Sequence, residues 1–184
     1  QFYRRLPEHP CKEHLLPILV ELDGTRDLFV ADSKLEILFY GSFLDAARQL
    51  PHAVRGTAEE LVRTEIDIAN VIVFLRNAAI YGLKEEAIRE LLIDGGWVLD
   101  THAVERLLAS EDRADVGKCL PAPYARLVEK VAEEPLYVCE NRLWTHLYMK
   151  ADEAFNDFGK PVRATVAFPF LKRAEHLNLG RVFE

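Results

Sequence analysis

The stretch TEIDIANVIVFLR, Thr64–Arg76, restricts the possible folds more than any other part of the chain. It is rich in Ile and Val, yet Glu65, Asp67 and Asn70 fall within six residues of one another. Buried polar groups cost free energy unless they find partners, so such a segment belongs to an element enclosed by neighbours that supply them. The spacing is helical. At about 100° per residue, Glu60, Arg63, Asp67, Asn70 and Asn77 share one stripe with Phe74, while Glu65 and Arg76 lie together on nearly the opposite side. A helix that is apolar between two narrow polar seams is one packed on both flanks.

The flanking sequence supplies starts and stops. Ser33 with Glu36 and Thr57 with Glu60 fit S/T-x-x-E capping boxes, each ahead of an apolar-periodic run. Helices are therefore predicted over roughly 34–50 and 58–81, closed by Pro51 and by Gly82. KEEAIRELLIDGG reads as a short amphipathic helix stopped by Gly95 and Gly96, and Thr101–Ala109 as another. Pro121 and Pro123 precede YARLVEKVAEE, Pro135 precedes LYVCENRLWTHLYMKADEAF, and Gly159 with Pro161 precedes VRATVAFPFLKRAEHLNLGRVF. Residues 1–32 hold Pro7, Pro10, Pro17 and Gly24, which leaves one short helix over LLPILVEL, opened or bent by Pro17. Long strand-like alternation is absent, so the fold class is all-α.

An internal echo bears on domain organisation. Glu36, Tyr40, Phe43 and Leu44 match Glu140, Trp144, Leu147 and Tyr148 at an offset of 104 residues. Asp67 and Asn70 match Glu175 and Asn178 at an offset of 108. The order and near-equal offset suggest a duplicated helical unit, longer than a solenoid repeat, with chance similarity as the alternative. The chain divides accordingly into an irregular or short-helix segment at 1–32, a helical repeat at 33–134, and the beginning of a second repeat at 135–184.

Composition narrows the function classes. A net charge of −7 argues against a sequence-independent grip on nucleic acid, which needs clustered Lys and Arg. Cys11, Cys119 and Cys139 are widely spaced and lack a C-x-x-C pattern, which suits free thiols in a reducing, cytosolic compartment. The apolar runs fall short of the roughly 20 residues needed to span a bilayer. The chain begins at Gln1 with no signal-peptide pattern, as expected of a fragment or trimmed product as much as of a whole protein.

Catalytic and ligand chemistry finds little support. His9, His14, His52, His102, His146 and His176 form no H-x-x-x-H or H-E-x-x-H pair, so no metal site is predicted. Gly95–Gly96 lacks the Lys-Ser/Thr of a P-loop, no G-x-S-x-G is present, and Cys119 beside Lys118 has no defined base, so no cofactor or nucleophile is assigned. Glu65 and Asp67 point roughly 200° apart on their helix and cannot form an acid/base pair. Asp67 and Asn70 are expected to bond backbone at the end of a neighbouring helix, with an interface role as the alternative. A helical enzyme or ligand-binding protein, with Glu65, Asp67, His102 and His146 converging, is the rival function, and a free-standing scaffold a third.

The run E-x-D-x-x-N, the IDGG after a short helix, the upstream helix with Glu36 and Tyr40, and the closing FLKRAEHLNLGRVF together resemble the C-type stalk subunits of V-type and A-type ATPases, a family whose eukaryotic members are the d subunits. Glu65, Asp67, Asn70, Gly95 and Gly96 fill that family's first pattern. Lys172, Glu175, Asn178 and Leu179 fit its terminal K-E-x-E-x-x-N-L-R, but Arg173 replaces the first acid and Gly180 displaces Arg181 by one place. The resemblance implies helical bundle repeats arranged as a funnel, of which this chain holds roughly the C-terminal portion. It implies a non-catalytic central-stalk socket, peripheral on the cytoplasmic face, between the membrane rotor ring and a central shaft of subunits D and F. ATP turnover and proton or sodium transport would belong to other subunits, and no cofactor is implied.

Overall fold

The computed structural model describes residues 12–110 and 112–183, with 176–183 as backbone only. Cys11 and the side chains of Asn178, Leu179 and Arg181 lie outside the described residues. Among those described, every regular element is helical: α1 (Lys12–Thr25), α2 (Leu28–Arg48), α3 (His52–Arg76), α4 (Glu85–Arg89), α5 (Thr101–Leu108), α6 (Arg113–Cys119), α7 (Tyr124–Leu127), α8 (Leu136–Phe155) and α9 (Arg163–Phe183). The all-α expectation holds.

Neither predicted capping box caps a helix. Asp27 accepts a hydrogen bond from the Val30 amide at 3.2 Å, so α2 starts at Leu28 and encloses Ser33, which is buried within it. The apolar residues Leu28–Ala31 already belong to the helical face, and Asp27 stands immediately before them. Similarly, α3 opens at His52 behind Pro51, so Thr57 and Glu60 lie inside the helix. Pro51 both ends α2 and begins α3, because proline disfavours helix in the residue before it yet fits a helix start. After Arg76 the helix widens into one π-turn, Asn77–Tyr81, and Gly82 closes it with φ 60°, a left-handed conformation that glycine adopts without strain.

The middle of the chain departs further. α4 is only five residues, and the segment from Glu90 to Asp100 is irregular. Gly95 and Gly96 therefore do not stop a helix. YARLVEKVAEE yields only the four-residue α7, while the unpredicted α6 is capped by Asp112, which accepts from the Asp115 amide at 2.9 Å. α1 is longer than expected and holds Pro17 in its second turn.

α3 is the axis of the bundle. α2, α8 and α9 pack around it, and every residue from Thr64 to Leu75 is buried. α8 runs antiparallel to it, as two ion pairs mark: Lys150 to Glu60 at 2.6 Å and Arg76 to Glu140 at 2.8 Å. α9 runs beside α3 in the same direction, with Phe170 stacked on Phe43 of α2 at 5.7 Å between ring centroids. The seam between α8 and its neighbours is closed by Cys139, Leu143, Leu147 and Ala151, at helical spacing and all buried. Leu143→Ala removes a fully buried side chain at the centre of that row. It is expected to cost about 2–5 kcal/mol, read as a lower urea midpoint at unchanged slope.

Candidate functional site

The first polar seam of α3 holds the chain that follows it. Leading away from Gly82, residues 83–99 run back along the helix, and four side chains grip their backbone in turn. The Leu83 amide donates to Asn77 Oδ1 at 2.7 Å. Asn70 makes a reciprocal pair with Ile93, accepting from its amide at 2.8 Å and donating to its carbonyl at 2.9 Å. Arg63 reaches the carbonyls of Gly95 and Gly96 at 3.5 and 3.4 Å.

Asp67 is the centre of this grip. Its carboxylate accepts from the consecutive amides of Trp97, Val98 and Leu99 at 3.1, 2.7 and 3.2 Å, and from the Tyr124 hydroxyl at 3.1 Å. Three successive N–H groups aimed at one anion form a nest of fixed partial positive charge. Burial pushes the Asp67 carboxyl above its usual range, and the amides of Val98 and Leu99, the Tyr124 hydroxyl and the Trp97 amide pull against it. Burial and the Asp67 charge likewise raise the Tyr124 phenol. The two glycines are explained by proximity. A Cβ on Gly96 would collide with Asp67 Oδ1, and one on Gly95 would lie 2.7 Å from a Leu44 methyl. Gly95 also has φ 98°.

The second seam meets side chains instead of backbone. Glu65 is 1% exposed, accepts from the Tyr40 hydroxyl at 3.0 Å and forms an ion pair with Arg173 of α9. Arg173 lies over the rings of Phe39 and Trp144, 6.0 and 5.9 Å from their centroids. Burial raises the Glu65 carboxyl, and the Arg173 charge and the Tyr40 hydrogen bond oppose it. Further along α3, Arg76 binds Glu140 through two hydrogen bonds, at 2.8 and 3.2 Å.

Glu65 and Asp67 thus face separate partners on opposite sides of the helix. Lys172 and Glu175 pair with each other at 2.8 Å on the exposed face of α9. His102 is exposed on α5, whereas His146 of α8 meets the edge of the Tyr124 ring at 6.1 Å between centroids. Burial, aided by Lys150, holds the His146 imidazole below its usual range. Four cavities, the roomiest of them at 470 Å³ beside Asn70 and Gly96, are lined by none of Glu65, Asp67, His102 and His146. No His/Cys/Asp/Glu cluster able to hold a metal occurs among the described residues.

Sequence reasoning missed Arg173 as a partner of Glu65, although a signal was present. The offset of 108 that carries Asp67 onto Glu175 also carries Glu65 onto Arg173, and the offset of 104 carries Tyr40 onto Trp144. Those four matched positions meet in one cluster.

The fold and its seams define a helical packing protein whose buried polar residues bind its own chain. Comparison with known proteins names the class more narrowly. The chain belongs to the ATP synthase (C/AC39) subunit family, which matches residues 1–184. Over 171 residues it is 29% identical to the C subunit of the A-type ATP synthase from Thermococcus gammatolerans, covering 90% of this chain and 44% of that one. It is 26% identical over 157 residues to the protein of the same name from Thermococcus kodakarensis, covering 83% and 41%. For that of Desulfurococcus the identity is 31% over 141 residues, covering 74% and 36%. The chain therefore spans less than half the length of these relatives. No solved structure matches it.

Gly96→Ala forces a methyl group against the Asp67 carboxylate, so it and Asp67→Asn damage one interaction. Each is expected to cost about 2–3 kcal/mol. The double variant is expected to lose clearly less than the two costs combined, which urea unfolding of the three variants measures.

Proposed function

We propose that this chain is part of a central-stalk socket of a rotary A-type or V-type ATPase, joining the membrane rotor ring to a shaft of subunits D and F. The observation that carries this reading is the family match along the whole chain, because it ties a body of packed helices to a rotary ATP synthase. A coupling of this kind transmits torque, and close helix packing resists shear. The enclosed α3, bonded on one side to backbone and on the other to α2, α8 and α9, supplies that stiffness.

In this reading the chain is non-catalytic and lies peripherally on the cytoplasmic face, and the moving of protons or sodium is work of the assembled complex. Among the described residues, no helix is long and apolar enough to cross a membrane. Residues 33–134 act as one helical repeat and 135–184 as the start of another. Glu65, Asp67, Asn70, Gly95 and Gly96 serve as framework, and Lys172, Glu175 and Asn178 belong to the second repeat. Contact with partners falls to exposed apolar side chains such as Trp97, Tyr137 and Phe158.

A tagged chain incubated with purified shaft subunits and with rotor ring in detergent is expected to retain both. Retention of neither, from a sample with a cooperative thermal transition, overturns the proposal.

A further inference from the structure

α1 is apolar on every side, since its central run LLPILVEL, residues 15–22, has Glu21 as its one polar side chain. A helix apolar all round belongs in an interior. Yet α1 packs chiefly on α2, Ile18 is its one buried residue, and Leu16 and Val20 are 46% and 64% exposed. The exposure continues into the start of α2, where Leu28 is 73% exposed. Leu19, Leu22 and Leu28 line a shallow hollow of 360 Å³ there, and the exposed Asp23 and Arg26 complete its lining. Gly24 adds room, because a Cβ on it would meet nothing within 4 Å.

The charges around the hollow are unequally engaged. Glu21 is bonded to Lys34 at 2.7 Å, and Asp27 caps α2. Asp23 and Arg26 make no side-chain hydrogen bond or ion pair among the described residues. One free acid and one free base, three residues apart beside an apolar hollow, form a surface complementary to itself under a two-fold rotation.

We propose that the chain pairs with a second copy of itself through this hollow. Leu28 of each copy enters between Leu19 and Leu22 of the other, and Asp23 of each faces Arg26 of the other. Burial of the leucines supplies the attraction, and the crossed charges fix the register. A lipid surface is a poorer occupant, because anionic headgroups repel the exposed Glu13, Glu21 and Asp23. The 14 residues of α1 make a helix about 21 Å long, whose outer face falls short of the ~800 Å² per partner found in stable complexes. The pairing is therefore weak, with a dissociation constant on the order of 100 µM. It belongs to the chain by itself and does not depend on the stalk role.

Sedimentation equilibrium of the full chain from about 10 µM to about 1 mM tests the pairing. The unmodified chain is expected to pass from 21.0 kDa towards twice that mass. Asp23→Arg and Arg26→Asp each set like charges face to face twice, so each variant is expected to bind itself at least about tenfold more weakly. An equimolar mixture of the two variants restores both crossed pairs and is expected to regain the paired mass. Both changes suit their places. A cation is favoured near the C-terminus of a helix, and Asp accepts the left-handed backbone of residue 26, φ 55°, better than most residues do. A mass of 21.0 kDa at every concentration overturns the proposal and leaves the face to a different protein. So does pairing that either variant leaves unchanged, or a mixture that stays unpaired.

Discussion

A helix enclosed on all sides has no water to satisfy its polar groups, so each must be met by a neighbour at a fixed place. In this protein that requirement falls on α3, and Asp67 is where it is strictest. A buried carboxylate needs several donors, and the amides of Trp97, Val98 and Leu99 with the Tyr124 hydroxyl provide them. Bringing three consecutive amides to one carboxylate requires a sharp, close-lying loop, which in turn requires glycine at 95 and 96. The path of residues 97–99 and the docking of α7 through Tyr124 follow from meeting that one side chain.

The same logic, with different partners, holds the far side. Glu65 and Arg76 fasten α3 to α9 and α8, and Glu60 of the first seam adds a bond to α8 through Lys150, so one seam joins helices while most of the other organises the chain between them. Under the role proposed above for this member of the ATP synthase (C/AC39) subunit family, the interior polar groups keep the body rigid and the surface is left for contact.

Much of this is legible in the sequence because α3 obeys a strict period. The stripe of Arg63, Asp67, Asn70 and Asn77, and Glu65 with Arg76 opposite, follow from 3.6 residues per turn alone. Helix boundaries are less legible. Ser33 and Thr57 have the composition of caps, but Asp27 and Pro51 lie upstream next to residues that already pack, and burial of Phe29 and Ala31 outweighs a local capping pattern. Gly95 and Gly96 mislead for a related reason: a glycine pair after an amphipathic run looks like a helix stop, and only the distant Asp67 reveals that the pair allows close approach. The pairing of Glu65 with Arg173 spans two elements far apart in the chain, where no local pattern reaches.

The connector of residues 83–99 is held by its main chain as well as by the buried side chains of Ile88, Leu91 and Ile93. Asn77, Asn70, Asp67 and Arg63 bind amides and carbonyls, groups that every residue type except proline carries in full. Its outward-facing positions, among them Trp97 and Asp94, are thereby released from any duty to maintain shape. Evolution can rewrite that outer face letter by letter while the path underneath stays constant, giving different lineages a fixed mount on which to carry their own lettering.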